Sequence, residues 1–187
     1  MNCLKVAAGA ILFAGLALAQ SNDPSVNQRR ENQQDRIANG VQSGQLTAGE
    51  TKSIEGNEAN LNREIRDDRK AGDGKLTSQE KQQVNRQQNH IGKQIQTDKH
   101  NANSSHFGDN KVGQRRENQQ DRIANGIRGG QLSAGQTARL ENREQGINQQ
   151  VRADRQANGG KLNKQQRRQI NRQQNRTSRA IHHDRHS

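Results

Sequence analysis

The chain has 187 residues, of which 26% are hydrophobic and 1% aromatic, and its formal net charge is +12. Its one cysteine, Cys3, lies in a leading apolar segment, so the rest of the chain offers no disulfide, no thiolate metal site and no thiol nucleophile. Without tryptophan or tyrosine, and with two phenylalanines, it has no aromatic platform for stacking nucleobases and little material for a large core.

Residues 1–19 read as a secretory signal peptide. Lys5 supplies the basic start, residues 6–19 form an apolar run, and Ala17-Leu18-Ala19 presents small residues for cleavage ahead of Gln20. The run is shorter than the ~20 apolar residues that a spanning helix needs. The expectation is therefore a secreted or periplasmic protein with no transmembrane helix after cleavage, and with residues 20–25 as a short tail.

Beyond the tail the sequence is a duplication. Gln28–Gly40, QRRENQQDRIANG, returns unchanged as Gln114–Gly126, an offset of 86 residues that runs to the end of the sequence without a gap. Aligned this way, Val26–Asn101 and Val112–Ser187 share about 40 of 76 positions. Repeat one is expected over 26–100, a linker over 101–111 (a polar segment with no apolar periodicity), and repeat two over 112–187. Charge divides unequally. Copy one has 13 Lys and Arg against 11 Asp and Glu, whereas copy two has 16 against 6.

Each copy also repeats internally. The phrase Gly44-x-Leu46-Thr47-x-x-Glu50 is echoed by Gly74-x-Leu76-Thr77-x-x-Glu80, then by Gly130-x-Leu132-Ser133-x-x-Gln136 and Gly160-x-Leu162-Asn163-x-x-Gln166. Glycine stops one helix, and the hydroxyl or amide residue caps the next, with Glu or Gln three positions later closing a capping box. Between the stops, Ile54, Leu61 and Ile65 sit at 0, +7 and +11, which is one helix face. Val84, Ile91 and Ile95 repeat that spacing, as do Leu140, Ile147 and Val151. The expected fold is all-α: two tandem copies of a three-helix antiparallel unit, with helices near 27–42, 47–70, 77–99, 113–128, 133–156 and 163–185. The apolar stripe is narrow, so the expectation is a thin bundle, or helices that pack only on self-association as a homo-oligomer.

The phrase resembles the second half of an EF-hand calcium loop. Asn39, Ser43, Thr47 and Glu50 fall at loop positions 1, 5, 9 and 12, and Asp73, Thr77 and Glu80 at 5, 9 and 12 of the next. A calcium loop gathers several carboxylate oxygens. Here position 1 is Asn39 or Arg69, and Gln136 and Gln166 replace the closing glutamate in copy two. No cofactor is expected, with calcium at a weak or vestigial EF-hand-like site as the alternative. Across both copies the chain also resembles small exported bacterial helical proteins of unknown function that carry the Gly-x-Leu-Thr-x-x-Glu phrase, a resemblance that implies no activity.

Arginine gives the main functional expectation. Arg115, Arg116 and Arg122 stand in the repeated opening, and Arg168, Arg172, Arg176 and Arg179 run at +4, +4 and +3 along the last helix. Guanidinium groups suit phosphate and carboxylate, so this face is expected to bind or shield an anionic envelope or extracellular component. His182 and His186 are i,i+4 but have no counterpart in copy one, and are read as a solvated tail. No catalytic constellation or glycine-rich phosphate loop is present. The many carboxylates of copy one are expected on solvated faces, and neither enzymatic activity nor a small-molecule substrate is expected.

Overall fold

Capping chemistry divides the chain into six helices. The structure, a computed structural model, describes residues 24–187 except Asp109. The predicted signal peptide and residues 20–23 lie outside the described residues. The helices are α1 (Pro24–Gln42), α2 (Ala48–Ala71), α3 (Ser78–Lys99), α4 (Lys111–Arg128), α5 (Ala134–Ala157) and α6 (Lys164–Asp184), with no strand among the described residues. Thr47, Thr77, Ser133 and Asn163 are the N-caps of α2, α3, α5 and α6, and all four close capping boxes with the residue three positions on. Each box satisfies two backbone N–H groups that the first helical turn would otherwise leave unpaired.

The glycine ahead of each box has a definite task. Gly44 and Gly130 turn the chain at φ +71° and +64°, a region that residues with a Cβ seldom adopt. The returning leucine then folds back onto the helix it has just left. A Cβ at Gly40 would lie 2.7 Å from the Leu46 side chain, and one at Gly126 2.7 Å from that of Leu132. Both leucines are buried.

The apolar stripes turn inward as their spacing requires, and Ile54, Leu61, Ile65, Leu140, Ile147 and Val151 are all buried. Their partners differ from what the short loops imply. Short connections favour packing between consecutive helices, yet α1 and α2 barely touch. The largest interface joins α2 to α5, and the next joins α1 to α4. Flanking this centre, α3 packs on α1 and α2, and α6 on α4 and α5. The main hydrophobic cluster accordingly mixes the copies, running from Val26, Ile37 and Leu61 to Ile123, Leu140 and Ile181. A stripe too narrow to seal one copy is closed against the other, which removes apolar surface from water without adding apolar residues.

Polar side chains fill the rest of the interior. Gln33 donates to the Gln88 carbonyl at 2.8 Å, and Gln88 to the Val26 carbonyl at 3.0 Å. Copy two repeats both bonds, from Gln119 to Gln174 at 2.9 Å and from Gln174 to Val112 at 3.0 Å. Glutamine amides thus tie α1 to α3 and α4 to α6 through their NH2 groups, while the Oε1 atoms of all four have no hydrogen-bond partner among the described residues.

Candidate functional site

The seven arginines of the expected anion face separate into two groups. Arg115 donates to Asn175 Oδ1 at 2.7 Å, and Arg122 donates to Ser178 Oγ at 2.6 Å and to the Ser178 carbonyl at 3.2 Å. Arg116 lies half-buried, its guanidinium 5.1 Å from the centre of the Phe107 ring. These three hold α4 against its neighbours. Arg168, Arg172, Arg176 and Arg179 are all exposed along α6, and none has a hydrogen-bonding or ion-pair partner among the described residues. Their counterparts in copy one are Gln82, Arg86, His90 and Lys93, a weaker row.

The loop residues that resemble a calcium site are engaged in capping. Glu50 Oε2 accepts from Thr47 N at 2.8 Å and from Thr47 Oγ1 at 2.7 Å, while Oε1 accepts from Asn101 and Asn103 at 2.8 and 2.9 Å. Burial works to raise the Glu50 carboxyl, but these hydrogen bonds outweigh it and hold the group below its ordinary range. Ser43 bonds within its own turn, and Asn39 accepts from Arg128 at 3.0 Å. In the second loop Glu80 Oε2 accepts from Thr77 N at 2.7 Å, and Asp73 is exposed with φ 51°. Among the described residues no three His, Cys, Asp or Glu side chains converge on a point where a metal ion could sit. His182 and His186 stack with ring centres 4.4 Å apart, and His186 is bonded back to the His182 carbonyl.

One expectation fails outright. The carboxylates of copy one do not all lie on solvated faces, because Glu55 and Glu58 are fully buried. Their counterparts Glu141 and Glu144 are buried as well, and the four line the interior sides of the α2 and α5 pair. Gln34 donates to Glu55 at 3.3 Å and Gln120 to Glu141 at 3.1 Å. One oxygen each of Glu55 and Glu141, and both oxygens of Glu58 and Glu144, have no hydrogen-bond partner. Desolvation therefore dominates their chemistry. It pushes Glu55 to about 8, and Glu58 and Glu144 to about 7, the last two held back by the nearby charges of Arg30 and Arg116. Glu141 is driven well above its ordinary value by burial, Glu144 and Glu55 adding to the shift.

A signal for these residues is present in the sequence. Copy two has only six acidic residues, all matched by acids in copy one, and two of the six pairs are the ones buried here. Glu55/Glu141 and Glu58/Glu144 stand beside the apolar stripe as Ile54-Glu55 and Leu140-Glu141. Comparing the copies position by position narrows the eleven acids of copy one to six, and adjacency to the apolar stripe then points to Glu55 and Glu58.

No helix among the described residues is long and apolar enough to cross a membrane. No protein-family model, curated protein or solved structure matches the chain.

Proposed function

We propose that the protein is a non-enzymatic, exported binder of anionic polymers or surfaces, and that the outer face of α6 is its contact surface. In this reading the two three-helix repeats act as a fused pair that presents the basic face of copy two. One observation carries the reading: Arg168, Arg172, Arg176 and Arg179 stand exposed in a row with no partner among the described residues. Solvated guanidinium groups at helical spacing can pair bidentately with successive phosphate, sulfate or carboxylate groups, and the net charge of copy two attracts a polyanion over longer range. Arg115 and Arg122, being bonded to Asn175 and Ser178, contribute charge but little freedom to reorient.

Retention on immobilised heparin over a salt gradient tests this directly. Replacing the four α6 arginines with glutamine should move elution to much lower salt while leaving the helical circular dichroism unchanged, since none of the four is buried. Arg86→Gln in copy one should move it far less. Elution at the same salt for the fourfold variant and the parent chain would remove the proposal.

A further inference from the structure

Helices α1 and α4 carry the same side chains into their clefts, but the helices they face differ. Arg29, Asn32, Gln33 and Arg36 fall at 0, +3, +4 and +7, one face of α1, and form one wall of an open cleft of about 460 Å³. The other wall is α3. Their copies Arg115, Asn118, Gln119 and Arg122 stand at the matching places on α4, which packs on α6. Arg29 donates to Asn89 Oδ1 at 2.8 Å and Arg36 to the Gly92 carbonyl at 3.2 Å. Two guanidinium groups thus reach α3 at residues about 4.5 Å apart along its axis.

One position sets the two copies apart here. In copy two, Arg122 Nη2 donates to the Ser178 carbonyl and Nη1 to the Ser178 hydroxyl, the latter at 2.6 Å. The matching residue of α3 is Gly92. Arg36 Nη2 keeps the carbonyl bond, but Nη1 has no acceptor among the described residues. A Cβ at Gly92 would lie 3.7 Å from Arg36 Nη1 and 3.8 Å from Gln33 Nε2. Gln33 uses one of its two amide hydrogens on the Gln88 carbonyl. Two donors therefore face the space that a serine side chain fills in copy two, and glycine brings no oxygen to meet them.

The charge of this cleft is uncompensated, although copy one as a whole is near neutral. Lys93, exposed beside Gly92, adds a third cation, and no Asp or Glu is among the lining residues. Glu31 and Asp35, the acids of this part of α1, line a different cleft, beside Gln131 and Ser133. The unpartnered Oε1 atoms of Gln33 and Gln88 recur at Gln119 and Gln174, so they do not distinguish the copies. Guanidinium and amide N–H groups with an ammonium alongside are the donor set that an oxyanion takes, through charge-assisted hydrogen bonds.

We infer that the cleft between α1 and α3 is a binding site for a single phosphate or sulfate group, one of whose oxygens takes the place that the Ser178 hydroxyl holds in copy two. That oxygen accepts from Arg36 Nη1 and Gln33 Nε2, while Arg29 and Lys93 offset the charge of the others. The cleft is open to solvent, so the group can be a free ion or the end of a larger molecule. The site lies in copy one and uses none of the α6 arginines, so it stands whether or not the chain binds polyanions.

Inorganic phosphate titrated into the ¹⁵N-labelled whole chain, with ionic strength held constant by sodium chloride, tests the site by NMR. The amide signals of residues 92 and 93 should shift saturably, with half-saturation at roughly 10 mM or below. Gly92→Ser gives Arg36 the hydroxyl that Arg122 already has, and should weaken binding about fivefold or more. Serine is better tolerated than glycine inside a helix, so this variant keeps the fold. Ser178→Gly should do the reverse and make the residue-178 amide respond to phosphate as residue 92 does. Glycerol 3-phosphate in a parallel titration separates the two sources: binding as tight as the free ion marks the end of a larger molecule, and its loss marks the ion itself. A shift that does not saturate, equal binding in Gly92→Ser, or no response at residue 178 in Ser178→Gly would each overturn the proposal.

Discussion

Copy one and copy two share their interior but differ at their surface. The unchanged stretch Gln28–Gly40 and its repeat make the same internal bonds, from Gln33 and Gln119 to α3 and α6 and from Gln34 and Gln120 to the buried glutamates. Outside this frame copy two loses five of the eleven acids of copy one and gains the α6 arginine row. Its far end is also less integrated. Val112, Ile147, Val151 and Ile170 form a small cluster of their own, whereas the matching Val26, Leu61, Ile65 and Val84 belong to the main one. Residues that set helix-to-helix contact stay buried in both copies even where they change, as at Ile54/Leu140, Leu61/Ile147 and Ile91/Thr177, and residues that face solvent are free to take on separate roles.

The largest effect should come from separating the copies. Residues 24–101 and 112–187, produced as individual polypeptides, should each lose most of their helical signal in circular dichroism, because α2 and α1 would expose the faces now buried on α5 and α4. Mixing the two fragments should restore it. Full helicity of either fragment as a dilute monomer would show that the interface between copies is dispensable.

The buried carboxyls should then set how stability varies with pH. In the unfolded chain these groups lose their protons near 4.5, whereas the fold holds Glu58 and Glu144 protonated to about 7 and Glu55 to about 8. Between those values the folded state carries more protons than the unfolded one, so their contribution is greatest at low pH and is lost as pH rises through 7 to 8. Glu55→Gln with Glu141→Gln should raise stability at pH 8 by about 1–3 kcal/mol in urea titrations and change it little at pH 5. An equal effect at the two pH values would mean that burial of charge is not what shifts these groups.

The smallest predicted effect is at the caps. Thr47→Ala and Ser133→Ala should each cost about 1 kcal/mol in thermal or urea unfolding. Thr47→Ala should also loosen the linker, since Glu50 ties the α2 cap to Asn101 and Asn103, and limited proteolysis near residues 101–108 would report it.

Much of this was legible beforehand because it is local. Thr47, Thr77, Ser133 and Asn163 cap helices through atoms within three residues of themselves, and the apolar stripes follow a fixed period. The buried glutamates were not legible from one copy. A charged side chain next to an isoleucine reads as the edge of a stripe, and only a second helix across the interface turns that edge into interior. The engaged arginines show the same limit: Arg115 and Arg122 look like Arg168 in sequence, but α6 lies within their reach.

By itself the sequence determined six helices, four of them with their capping boxes, and the duplication that relates them, because turns, caps and periodicity are encoded over short distances. Only the tertiary structure decided that α2 takes α5 as its main partner in preference to α1, and that four glutamates lie inside. Those outcomes depend on which faces meet, and that choice is made by burying two narrow stripes against each other where neither could be sealed alone.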